Sequence, residues 1–144
     1  METYEIFPNG SEKNISNEIL FDIPDSWEWV RLGSLGEYRK GPFGSTLTKK
    51  IFVPKSNSTI KVYEQKNVIK KDATLGSYYI AKEYFESCMF RYEVIPGDIM
   101  ISCAGTIGES YIMPSDCERG IMNQALMRIS LTNSILKNYY ILFF

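Results

Sequence analysis

Histidine is absent from the chain of 144 residues. That removes the commonest general base and every Ser-His or Cys-His arrangement for nucleophilic catalysis. Cysteine is scarce: Cys88, Cys103 and Cys117 form an odd set with no C-x-x-C spacing. Such a set reads as reduced thiols in a cytoplasmic protein, and without histidine it offers no zinc site. No run of about 18 apolar residues occurs, so no membrane-spanning helix is expected. Residues 1–20 are polar and acidic and lack the apolar core of a signal peptide. Gly105-Thr106-Ile107-Gly108 is too short for a cofactor loop and lacks the lysine of a phosphate loop. No carboxylate pair is flanked by a lysine as a metal-dependent nuclease requires, and no Asn-Pro-Pro-Tyr stretch is present to hold a flipped adenine. The expectation is a protein without catalytic machinery, resident cofactor or metal.

What is present is a globular composition. Apolar residues make up 44% of the chain, with 10 Tyr, 8 Phe and 2 Trp, which excludes disorder as the main state. The length suits one domain with a true core. The formal net charge of −1 conceals a strong polarisation. The stretch from Arg39 to Lys71 holds nine cations against the single anion Glu64. The remainder carries seven cations against sixteen anions. A local surplus of this kind suits a polyanionic partner, because neutralised phosphates release condensed counterions. Directly after Arg39 and Lys40 comes Gly41-Pro42-Phe43-Gly44-Ser45. Pro42 and Gly44 fit the second and fourth positions of a type I turn, a way to hold a loop rigid against a nucleic acid. An ordinary hairpin turn with a solvated basic rim explains the same residues.

Taken in order, the chain predicts many short strands and few short helices. A strand is expected near Tyr4 to Phe7, and Trp27 to Leu32 alternates as a strand with both tryptophans as core anchors. Leu47 to Pro54 reads as a strand or arm and Ile60 to Tyr63 as a strand. Val68-Ile69 is a short apolar pair, Tyr78 to Ile80 is β-prone, and Ala81 to Ser87 suits a short helix. Pro96-Gly97 fits the centre of a type II turn. Ile99 to Cys103 is nearly all apolar and is expected at the centre of a sheet, paired with Ser110 to Met113 across a glycine-flanked connection. Ala125 to Ser130 is a further strand. Asn133 can cap a final helix from Ser134 onward whose end, Tyr139 to Phe144, is apolar all round and should dock on something or continue. The fold class expected is α+β, a twisted and mostly antiparallel sheet with a few short helices.

Four blocks carry a family resemblance. Ile23-Pro24-Asp25-Ser26-Trp27-Glu28-Trp29-Val30-Arg31-Leu32-Gly33 is similar to the opening of a target recognition domain from the specificity subunit of a type I restriction-modification system. Gly41-Pro42-Phe43-Gly44-Ser45 resembles the same family, as does Val94 to Ser102 with Gly105 to Gly108. Gly120-Ile121-Met122-Asn123-Gln124-Ala125-Leu126 completes the series in order. The resemblance implies a lead-in segment at 1–22, a DNA target recognition domain at 23–133 and the start of a helix at 134–144. It implies binding of double-stranded DNA at one half of a bipartite target, without chemistry. It further implies a methyltransferase (modification) subunit and a nuclease/translocase (restriction) subunit as partners, with S-adenosylmethionine, Mg and ATP belonging to them. The long spacer helices and second domain of a full specificity subunit are missing. The chain is therefore expected to be a cut piece, a half-subunit that pairs with a second copy or second recognition domain, or an exchangeable fragment.

The candidate DNA contacts divide by chemistry. Lys40, Lys49, Lys50, Lys66, Lys70 and Lys71 suit phosphate. Gln65 and Asn67 suit adenine edges and Arg39 suits guanine. Ser45 and Thr46 can donate to phosphate or base, Tyr78 lies where the chain returns from the basic segment, and Thr106 can contact the backbone or merely close its hairpin. Asn123 and Gln124 are read as satisfying buried backbone groups at a strand entry. The alternative function is a protein-interaction module that docks a methyltransferase subunit or a second copy. Single-stranded RNA binding is weaker, because the aromatics sit at core-like spacings.

Overall fold

A computed structural model describes residues 2–132 and 136–143. The chain forms two compact units, Met1–Val30 and Arg31–Phe144. In the first, β1 (Tyr4–Ile6) pairs antiparallel with β2 (Glu12–Asn14). Asn9 closes the hairpin by accepting from the Ser11 amide and hydroxyl. Ile15 is the buried residue of this unit, and Phe21 packs against Trp29 with ring centroids 5.3 Å apart. Residues 27–31 do not form the strand expected of them. The Trp27 amide bonds to the Pro24 carbonyl in a turn instead, and Trp27 (55%) and Trp29 (38%) are both exposed rather than core anchors.

The second unit is built on two four-stranded sheets. The first has the order β3-β10-β7-β8, from Gly36–Lys40, Leu126–Leu131, Ile99–Ser102 and Ser110–Ile112, with every pair antiparallel. The second has the order β5-β4-β9-β6, from Tyr79–Ala81, Thr59–Tyr63, Gly120–Met122 and Glu93–Val94. Its one parallel pair is β4 with β9. The mixed, antiparallel-rich architecture is that expected from the pattern of short strands.

Strand alternation sorts the side chains into layers. Met100 of β7, Leu126 of β10, Tyr63 of β4 and Met122 of β9 share one cluster, which lies between the sheets. Ile99, Ile101 and Ile129 point the other way, onto Tyr140 of α3 (Lys137–Tyr140). Ile60, Val62, Ile80 and Ile121 face Leu47, Phe85 and Met89 on the far side of the second sheet. The C-terminal helix thus docks on its own unit. Tyr140 is buried and its hydroxyl meets that of Tyr38 at 2.7 Å. The expected cap at Asn133 lies outside the described residues.

Several local expectations shift. Val68 and Ile69 belong to α1 (Gln65–Ile69), not to a strand. Residues 49–51 form a 3-10 turn, with only Val53 bridging to Tyr79. Lys82–Tyr84 is α-helical as α2 and continues as a π-helix over Phe85–Met89. Pro96 and Gly97 do occupy a turn, closed by the Asp98 amide on the Ile95 carbonyl at 3.1 Å.

One buried charge stands out. Lys61 sits on the inner face of β4 and is 1% exposed. Its ammonium donates to the carbonyls of Ala73 (2.7 Å) and Thr74 (3.1 Å), lies 3.7 Å from Glu118 and faces the Tyr63 ring. It thereby fixes the segment after α1 to the sheet. Replacing it with an apolar side chain leaves two carbonyls unpaired, so Lys61→Met is expected to cost roughly 3 kcal/mol in chemical denaturation; an unchanged midpoint would refute this. Glu118 is held below the ordinary glutamate value of 4.5, first by the hydrogen bond from Lys55 and then by the charges of Lys55 and Lys61, against opposing burial. A carboxylate with a lowered folded pKa stabilises above its unfolded value and loses that contribution as pH falls through the folded one. Thermal stability should therefore decline as pH drops below 4.5, less steeply in Glu118→Gln than in the parent.

Candidate nucleic-acid interface

Register dictates which loops meet. Lys40 at the end of β3 pairs near the start of β10, through Met127. The start of β10, Leu126, pairs with Ser102 at the end of β7, and Ile101 pairs with Ser110 at the start of β8. The connections at 41–46, 103–109 and 123–125 therefore leave the first sheet along one edge. The second sheet delivers a fourth to the same place, because the Asn123 amide bonds to the carbonyl of Tyr63, the last residue of β4, at 3.0 Å. Residues 123–125 are the link by which β9 of one sheet becomes β10 of the other.

Each loop is fastened. Gly41 lies so close to this link that a Cβ would fall 1.9 Å from the Asn123 carbonyl oxygen. Its amide bonds to the Leu126 carbonyl at 2.9 Å. The expected type I turn over Gly41–Gly44 does not form. Phe43 is extended, with ψ 141, and the turn lies two residues later as a 3-10 turn over Gly44–Thr46. The Phe43 carbonyl accepts both the Thr46 amide (2.9 Å) and the Thr46 hydroxyl (2.6 Å). The Cys103 amide donates to the Ala125 carbonyl at 2.8 Å, and Asn123 Oδ1 accepts the Ala125 amide at 3.0 Å. Asn123 thus satisfies backbone at the strand entry as expected, whereas Gln124 is exposed. Gln65 donates from Nε2 to the carbonyls of Ala104 and Thr106, tying α1 to the 103–109 loop.

The candidate residues from the sequence are dispersed by this geometry into three sets. Lys40, Ser45, Gln65 and Thr106 lie on the four-loop edge, and Thr46 is there with its hydroxyl turned back onto Phe43. Lys49 and Lys50 are exposed on the next 3-10 turn, before Phe52. Phe52 stacks on Tyr78 at 4.4 Å, and Lys66 lies 6.0 Å from the Tyr78 ring centroid, forming an aromatic-cation ladder. Lys70 and Lys71 end α1. Lys71 adopts a left-handed φ of 52, and its ammonium reaches the Ser110 carbonyl at 2.7 Å.

Two candidates have other work. Asn67 is 1% exposed. Its Oδ1 accepts the Glu64 amide, and its Nδ2 donates to the carbonyls of Asp72 and Leu75. Both donors of this amide are used and the side chain is buried, so it cannot make the paired contact that an adenine edge requires; its role is to cap α1. Arg39 pairs through Nε with Glu37 at 3.0 Å. Glu37 also receives Arg128 and is held below the ordinary carboxylate range, chiefly by the Arg39 hydrogen bond.

Carboxylates from outside the basic stretch also reduce its surplus. Glu118 meets Lys55 and Lys61, and Glu109 meets Lys71 at 3.5 Å, while Lys66 pairs with Glu64 at 2.8 Å. Among the described residues, Lys40, Lys49, Lys50 and Lys70 have no carboxylate within ion-pair distance. The loops 41–46, 103–108 and 123–125 contain no acidic residue. They do carry Phe43, 85% exposed, and Ile107, 74% exposed. Neither residue, nor Gln124, was among the candidates. The signal available was an apolar side chain inside a Gly/Pro-rich loop.

No family model and no curated protein matches the chain. Solved structures do. The HsdS subunit from Thermoanaerobacter tengcongensis superposes with a TM-score of 0.59 at 16% identity, over 85% of this chain and 28% of that one. A chain from a study of complex assembly and conformational transition of the type I R-M system superposes with a TM-score of 0.60 at 16% identity, over 86% and 29%. The chain therefore has the fold of type I restriction-modification specificity subunits. It spans less than a third of the length of the structures it matches.

Gln65 can be tested as the tie between α1 and the 103–109 loop. Gln65→Ala should speed amide hydrogen exchange across 103–108 while costing only about 1 kcal/mol in global stability. Unchanged exchange there would show that the loop is held by other contacts.

Proposed function

We propose that the chain binds double-stranded DNA sequence-specifically, reading one half of a bipartite target as part of a type I specificity subunit. It performs no chemistry in this reading. Methylation and cleavage fall to a methyltransferase subunit and a nuclease/translocase subunit, which supply S-adenosylmethionine, Mg and ATP, and the assembly acts in the cytoplasm. One observation carries the proposal: four connections from two sheets end along one edge, where the loops 41–46, 103–108 and 123–125 hold no carboxylate and Lys40 borders them unpaired. Rigid loops carrying Gln124, Ser45 and Thr106 suit base edges, with Gln65 of α1 tying one of them down and offering only its Oε1, while lysines supply the salt-dependent contacts to phosphate. The resemblance to HsdS structures supports the same assignment.

The test is binding to a duplex pool across a range of salt concentrations. Lys49→Glu with Lys50→Glu should weaken binding to all sequences alike and make the log-log salt slope shallower by about 2, one for each lost phosphate contact. Binding equal to the parent, with folding intact, would remove these lysines from the interface.

A second reading rests on the first unit. Met1–Val30 carries seven carboxylates against Lys13, and it exposes Ile6 (71%), Leu20 (85%) and Phe21 (63%). An acidic surface with such apolar residues suits a protein partner better than DNA. In this reading the unit docks a methyltransferase subunit or a second copy. Light scattering separates the two occupants: a dimer that becomes monomeric on deletion of residues 1–30 identifies a second copy, and a monomer in both cases excludes one.

A further inference from the structure

Phe43 is as exposed as any large apolar side chain in the described structure, yet its backbone is among the best fastened. Pro42 beside it is buried, Gly41 is pressed against the Asn123 carbonyl, and the Phe43 carbonyl holds two bonds from Thr46. An aromatic ring held out on an immobilised loop gains nothing for folding. It is, however, pre-organised for a partner, because little further ordering is needed on binding. Its surroundings select the partner. Ser45, Thr46 and Gln124 are neutral hydrogen-bonding groups, residues 103–108 and 123–125 include no carboxylate, and Lys40 is unpaired two residues before Pro42. Gln124 closes the contact, with its side-chain amide 3.8 Å from where a Cβ on Gly44 would lie. Apolar side chains beside cations and amides are the tools by which proteins pry open base steps.

We infer that Phe43 is an apolar wedge that partly unstacks one base step of the bound duplex, with Ile107 on the adjacent 103–109 loop as a second apolar contact. Neither is needed to hold the fold. The inference deepens the DNA-binding reading and rests on it. In this arrangement the wedge positions the duplex so that the amide and hydroxyl groups of the neighbouring loops meet base edges. Selectivity then includes a preference for an easily unstacked pyrimidine–purine step.

The experiment begins with selection of a bound sequence from a duplex pool randomised over its central 20 or so base pairs, the order of a bipartite site. 2-Aminopurine is then placed at successive steps of the selected duplex. With the parent chain, fluorescence should rise at one step. Phe43→Ala should abolish that rise and weaken binding about tenfold, the low end of what a stacked aromatic contributes. Phe43→Trp should retain the rise, and Ile107→Ala should reduce affinity without abolishing it. Because both residues are exposed, circular dichroism should be unchanged in every variant. A selected sequence with no bright step, or a rise that persists in Phe43→Ala, overturns the wedge and leaves DNA reading intact. Failure to select any sequence overturns both. Normal DNA binding by Phe43→Ala, with loss of a complex between copies in light scattering, reassigns the ring to a protein contact and likewise overturns the wedge.

Discussion

The second unit depends on one crossing of the chain. At residues 123–125 the polypeptide leaves the β4–β9 sheet and enters the β10–β7 sheet, so a three-residue link joins the two layers. Its polar groups are paired in both directions, with the Asn123 amide on Tyr63, Asn123 Oδ1 on the Ala125 amide, and the Ala125 carbonyl on Cys103. Backbone groups drawn partly out of water at this link must find such partners. This accounting forces three other connections to pass beside it, and those connections form the candidate interface. The contact that joins the sheets also creates the surface.

Charge behaves differently in space than along the chain. The surplus between Arg39 and Lys71 is divided by folding into buried, paired and free members. Lys61 becomes an internal brace, with its ammonium on backbone carbonyls. Lys55, Lys66, Lys71 and Arg39 take carboxylate partners. The solvent-exposed pairs add little stability, but they lower the local potential that a polyanion would meet. The cations left without a carboxylate partner are a smaller set, Lys40, Lys49, Lys50 and Lys70, beside a neutral rim rather than a continuous basic strip.

The sequence was most legible where the cause is local. The apolar run at Ile99 is central because no polar side chain interrupts its first three positions, and Pro96-Gly97 sets its turn without outside help. The α1 cap was also within reach, since Glu64 and Asn67 stand at capping-box spacing and bond reciprocally. Reading Asn67 as a base contact overlooked that short-range competitor. Other features were set by partners distant in sequence. Glu109 and Glu118 neutralise lysines about forty and sixty residues earlier, and no charge window around those lysines reveals them. Trp27 and Trp29 alternate like a strand, but alternation makes a strand only where a neighbour accepts the ladder, and here the turn at Pro24 takes the Trp27 amide. The exposure of Phe43 follows from the link at Asn123, which no local rule supplies.

The central claim is that the four loops along this edge form the DNA-reading face. Amide chemical shifts of the labelled chain, followed as a random duplex pool is added at low salt, test it most directly. The account expects the largest changes at 41–46, 65, 104–108 and 124, with smaller ones at Lys49 and Lys50. Changes concentrated in Met1–Val30, or on the strands away from this edge, would contradict it.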